Sequence, residues 1–141
     1  MTAAKYKISV HLERLGKLIK QAEKYKSMVD RKKFLTDQMA QDAVSRNLQQ
    51  TLEAMITIGE MIIAENDFRK PAEHNEVFDI LGENKIYPKS FSDQLWKIGG
   101  FRNILVHDYV NLNLNLVYDN LEKGIPIFKK YARYVAKFLE K

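Results

Sequence analysis

The sequence predicts a single all-α domain over residues 1–141, a bundle of four to five helices. Two observations carry that prediction. Apolar residues recur at three- and four-residue steps through most of the chain, with charged residues between them. The one stretch that alternates as a strand would, "NLNLNL" at 111–116, is too short and too isolated to build a sheet. Composition agrees: 45% hydrophobic and 29% charged residues suit a globular chain with a core rather than a disordered one.

Taken in order, Leu12, Leu15, Leu18, Ile19, Ala22 and Tyr25 mark one face of a first helix over about 5–29, which ends near the charged "DRKK". Thr36 or Asp37 can cap a second helix, because a side-chain oxygen there can accept the free N–H groups of its first turn. The apolar positions of this helix are Met39 or Ala40, Val44, Leu48, Leu52, Met55, Ile58 or Gly59, and Ile62, and it runs to about Glu65. Phe68 to Asn75 is polar, contains Pro71 and reads as a connection. A short helix at about 75–81 stops at Gly82, whose missing Cβ suits a C-cap. After a turn containing Tyr87-Pro88, Ser90 or Ser92 can start a fourth helix through Leu95, Trp96 and Ile98. Beyond Leu112, a last helix carries Leu114, Val117, Leu121, Phe128, Tyr131, Val135 and Phe138; Gly124 and Pro126 are expected to bend or divide it.

Several classes of function are set aside by what the chain lacks. It has no cysteine, hence no disulfide, thiolate metal site or cysteine nucleophile. No apolar run approaches a membrane span, and residues 1–10 carry no apolar signal core, so a cytoplasmic protein without a membrane partner is expected. Three histidines are present, but no HExxH pattern or paired His–carboxylate spacing points to a metal, and there is no GxSxG elbow or glycine-rich phosphate loop. No cofactor is expected. The net charge of +5 is uneven: both ends are basic and the middle, residues 37–120, is acidic. Terminal helices lying side by side would form a basic face suited to a phosphate backbone. The plainer alternative is a solvated surface drawn to the acidic middle.

One stretch concentrates chemistry. "GGFRNILVHDY", at 99–109, places Arg102, Asn103, His107 and Tyr109 among apolar residues. Arg102 offers a permanent charge and a planar fork of donors suited to a phosphate. A histidine of near-neutral pKa, His107, can take a proton in one step and return it in another. Together they hold the minimum for cleaving RNA without a metal, since the attacking 2′-hydroxyl comes from the substrate. At about 100° per residue, however, Arg102 and His107 lie about 140° apart around a helix and do not share a face. Either the helix breaks there or a second surface completes the site, as a two-fold dimer would by supplying one residue from each chain. A structural reading stays open: Arg102 pairs with an acid of the second helix such as Glu60, His107 is a hydrogen-bonded interior group, and Tyr109 is a core aromatic.

The stretch "FRNILVHDY" resembles the signature of the HEPN superfamily, with arginine, a polar residue, histidine after four intervening residues, and tyrosine two further on. It is most similar to the HepT-like toxins, partners of minimal nucleotidyltransferases in toxin–antitoxin pairs. The likeness extends through "VFDILGENKIYPKSFSDQLWKIGGFRNILVHDYVNLNLNLVYDNL" and "TLEAMITIGEMII", or about residues 10–140. It implies an antiparallel, HEPN-like bundle, a homodimer with the two motifs facing a shared cleft, and metal-independent endoribonuclease activity on an RNA substrate. By the same likeness Arg102 binds the scissile phosphate, His107 is the acid–base, Asn103 orients substrate or the catalytic pair, and Glu60 orients Arg102. Tyr109 matches the tyrosine to which the cognate nucleotidyltransferase antitoxin adds AMP. Two other classes compete: a non-catalytic module that binds nucleotide for a nucleotidyltransferase, and an interaction domain whose motif only stabilises a dimer.

Overall fold

A computed structural model describes residues 2–107 and 112–141, with His107 described by its backbone alone. Six helices occur among them and no strand: α1 (Ala3–Met28), α2 (Arg31–Phe34), α3 (Gln38–Glu65), α4 (Glu76–Glu83), α5 (Lys89–His107) and α6 (Leu114–Leu139). None is long and apolar enough to cross a membrane.

Caps explain most of the boundaries. The Asp37 carboxylate accepts from Ala40 N–H at 3.1 Å and opens α3, as the sequence leads one to expect. Asn113 does the same for α6, accepting from Leu116 N–H at 3.2 Å, so "NLNLNL" is the approach to a helix. Asp30 caps α2 through Lys33 N–H at 2.8 Å, adding a single turn inside the charged segment where the sequence shows only an ending. Three expectations are corrected. Gly82 does not cap α4, which runs through it to Glu83 with Asn84 as the cap. Ser92 does not start α5; it is buried, its hydroxyl within 3.4 Å of the Phe78 carbonyl, and the Pro88 carbonyl accepts from Phe91 and Ser92 instead. Nor does Pro126 divide α6, which continues through it. Pro126 lies on the exposed side, so the Glu122 carbonyl deprived of its donor can turn to water.

The three long helices form a frame. Lys5 Nζ donates to the Lys141 carbonyl, and Lys129 meets Glu23 at 2.6 Å, so α1 runs against α6. It also packs along α3, where buried Asn47 donates to the Leu18 carbonyl at 3.0 Å. α4 and α5 pack on each other and on α3, and α5 also touches α6. One contiguous core joins all six helices, with Leu15, Leu48, Met55, Phe78, Leu95 and Phe128 among its buried members.

Buried tyrosines tie the layers by their hydroxyls. Tyr131 donates to the Met55 carbonyl at 2.8 Å, Tyr87 to Phe78 at 2.6 Å and Tyr118 to Val29 at 2.7 Å. Burial pushes all three phenols above their ordinary pKa, keeping them neutral donors. Tyr131 reaches α3 beside Gly59, where an added Cβ would overlap Val77 Cγ1 and stand 3.3 Å from the Tyr131 hydroxyl. Gly16, on α1, has nothing within 4 Å of the same position.

The two glycines therefore respond to alanine in opposite directions. Gly59→Ala is expected to lower stability by about 1–3 kcal/mol through overpacking. Gly16→Ala is expected to raise it by about 0.5–1 kcal/mol through helix propensity. Urea midpoints of the two variants, read at unchanged slope, check both.

Candidate active site

The motif helix α5 buries Leu95, Ile98, Phe101 and Leu105 against the frame, a set spaced by three and four residues. The opposite side faces out. Trp96 is 46% exposed, Ile104 and Val106 are each 37% exposed, and Asn103 is exposed. At about 100° per residue, positions 96, 100, 103 and 107 lie within about 60° of one another, with Ile104 and Val106 on either flank. Gly100 leaves the middle of this arc open, since nothing stands within 4 Å of where its Cβ would be. Arg102 lies at the margin of the arc, about 140° from position 107, as helical geometry requires.

From that margin Arg102 turns toward α3. Its side chain is 22% exposed, and Nη2 stands 3.9 Å from Glu53 Oε1. The same oxygen accepts from Gln49 Nε2 at 3.2 Å, so one helical turn of α3 fixes the acid that faces the arginine. The pairing is loose. A gap of 3.9 Å balances charge without tying up the guanidinium in a direct hydrogen bond. Arg102 Nε is buried and meets no acceptor among the described residues. An unmet buried donor costs about 1–3 kcal/mol. What results is a cation anchored through its stem with much of its donor fork unspent, an arrangement able to bind a phosphate.

The expected partner, Glu60, is not the acid that Arg102 meets. It lies about two turns further along α3, exposed, in a surface depression with Asp67, Phe68 and Lys70. Both acids interrupt the same apolar run, "TLEAMITIGEMII", and only the crossing of α5 over α3 selects the first. Glu53 was therefore missed by sequence reasoning, although the Gln49–Glu53 spacing of four on an apolar helix was a usable signal. Asn103 is exposed on the open arc, one residue from Arg102. Tyr109 and the side chain of His107 lie outside the described residues. His11 is half-buried on α1 and His74 is exposed before α4. Among the described residues no three metal-ligating side chains gather.

The protein surface opens into a groove of about 520 Å³ between the first half of α3, the end of α5 and the start of α6. Leu105 of α5 lies in its wall, one turn beyond Arg102.

Comparison with known proteins gives consistent results. The family described as ribonuclease HepT-like matches residues 15–135. The chain is 34% identical over 102 residues to the mRNA nuclease HepT of Shewanella oneidensis, covering 72% of this chain and 77% of that one. It is 25% identical over 132 residues to the tRNA nuclease HepT of Aphanizomenon flos-aquae, covering 94% and 89%. A solved structure of the tri-AMPylated Shewanella oneidensis HEPN toxin in complex with MNT antitoxin superposes with a TM-score of 0.84 at 28% identity, covering 97% of this chain and 99% of that one.

The choice of acid is checked by double-mutant cycles on stability. The Arg102–Glu53 cycle is expected to give a coupling of less than about 1 kcal/mol, as for a half-exposed pair. The Arg102–Glu60 cycle is expected to give none. Equal couplings, or a larger one to Glu60, would reverse the assignment.

Proposed function

The chain belongs to the HepT-like ribonuclease family, and from that premise we propose that it is the toxin of a toxin–antitoxin pair, a cytoplasmic endoribonuclease that cuts RNA without a metal. The observation that carries this reading is the state of Arg102: a partly buried guanidinium, balanced at 3.9 Å by Glu53, with donors to spare. Two relatives with nuclease names and one toxin structure support the class of activity.

In the proposed reaction His107 takes the proton of a ribose 2′-hydroxyl. The freed oxygen attacks the adjacent phosphorus, the bond to the 5′-oxygen breaks, and that oxygen leaves with the proton that His107 returns. The products are a 2′,3′-cyclic phosphate and a 5′-hydroxyl. Arg102 neutralises charge as it builds on the phosphorus oxygens, and its spare N–H groups gain most at that stage. Glu53 holds the guanidinium in place, the role the sequence assigns to Glu60. Asn103 orients the substrate from the open arc.

The site is proposed to be shared by two chains. Arg102 and position 107 diverge around α5, while Trp96, Ile104 and Val106 leave apolar surface on the side of position 107. A two-fold axis across that arc covers the apolar surface and sets Arg102 of each protomer toward the motif of the other. The proposed antitoxin is a minimal nucleotidyltransferase that transfers AMP from ATP to the Tyr109 hydroxyl, releasing pyrophosphate. Phosphates added two residues from His107 bring negative charge and bulk where RNA has to bind.

Purified protein is expected to cleave RNA in the presence of a chelator. Arg102→Ala and His107→Ala should each slow cleavage by about 10²-fold or more. Remixing the two inactive variants should then recover about a quarter of wild-type activity, because half of the dimers are mixed and each has one intact shared site. Variants as active as wild type would sink the nuclease reading, and inactive variants that never complement would sink the shared site. Separately, co-expression with a minimal nucleotidyltransferase antitoxin should raise the intact mass in AMP-sized steps. Those steps should be absent in Tyr109→Phe; their persistence there would move the modification elsewhere.

A further inference from the structure

We propose that the groove along the first half of α3 is a nucleotide subsite, which holds a base flanking the scissile phosphate and so sets the sequence preference of cleavage. The proposal rests on the nuclease reading above and adds the residues that would read the substrate.

Position is the first argument. Asp42, Ser45, Arg46 and Gln49 line the groove from α3. Continued by one turn, their stripe ends at Glu53, which accepts from Gln49 and faces Arg102. Asp42 to Arg46 thus lie about 10–16 Å along the helix axis from Glu53, within reach of a nucleotide next to a phosphate held at Arg102.

Chemistry is the second. Leu105, Leu112 and Leu114 give the groove an apolar lining on one side, and α3 lines it with polar side chains. Apolar surface accepts the face of a base, while amides, a hydroxyl and a carboxylate offer the donors and acceptors that its edge requires. Arg46 is exposed and makes no ion pair among the described residues, leaving its planar guanidinium able to stack on a base or meet the next phosphate. A volume of about 520 Å³ is ample for one nucleotide.

The test uses wild type, Arg46→Ala and Ser45→Phe, the last placing a ring in the groove. Binding is read with a 2′-O-methyl RNA that cannot be cut, and base preference by sequencing the cut ends of a randomised RNA pool. Melting curves confirm that each variant is folded; Arg46→Ala removes only an exposed side chain and keeps the test valid where Ser45→Phe fails to fold. Both variants are expected to bind about tenfold more weakly, the scale of one stacked base. KM should rise with kcat within about twofold, and the preference at one position beside the cut should flatten. Wild-type affinity and unchanged preference in folded variants would overturn the proposal. So would a defect confined to capture of the nucleotidyltransferase, which would make the groove a protein contact. Groove-dependent RNA binding by a wild type that cleaves nothing would keep the subsite and remove the nuclease reading.

Discussion

The arrangement depends on how closely three helices approach at Gly59. With no side chain there, α3 admits both Val77 of α4 and the Tyr131 hydroxyl of α6. That hydroxyl reaches the Met55 carbonyl, and the Tyr131 ring meets Phe78 edge-on at 5.8 Å. The position of α4 follows from that crossing, and the position of α5 follows from α4. A Cβ on Gly99 would stand 2.8 Å from Asn75 Oδ1 and 3.3 Å from Phe78, so α5 too lies on its neighbour through a bare glycine. Arg102 comes three residues later, and its meeting with Glu53 inherits both contacts. A dense core transmits small volume changes, and here the path from core to candidate site is short.

Much of this was legible in the residues themselves. Leu15, Ile19 and Ala22 are buried on α1, and Val44, Leu48 and Leu52 on α3, because one face of each long helix has no other way to leave water. Asp37 declared a helix start for the same local reason that makes it cap one. What could not be read depends on contacts between distant segments. Ser92 looks like a cap in sequence, yet its hydroxyl serves a carbonyl of α4. Glu53 and Glu60 are equivalent acids in one apolar run until α5 crosses the first of them. The arginine and its spacing to the histidine were evident, whereas the groove combines residues from three elements and has no linear motif.

Charge is organised at two levels. The basic first helix and the basic end of the last one lie side by side. Part of that charge is answered within the fold: Lys129 by Glu23, and Arg31 by both Asp119 and Glu122. Away from these, Arg69 clasps Glu83 and Glu76, and its bond holds the Glu83 carboxyl below its usual range. These pairs sit near the surface and contribute little each. Arg102 differs from them in kind, being more buried and less completely paired. A cation kept in that condition costs stability, as active sites often do.

The exposed arc of α5 has an optical consequence. Trp96 is the single tryptophan of the chain, and it stands on that arc rather than in the core. Its emission consequently registers what covers the motif helix and is largely indifferent to packing elsewhere. With no native thiol in the sequence, a cysteine introduced anywhere would be the sole attachment point for an acceptor dye. The molecule is in effect built for distance measurements that start from its motif helix.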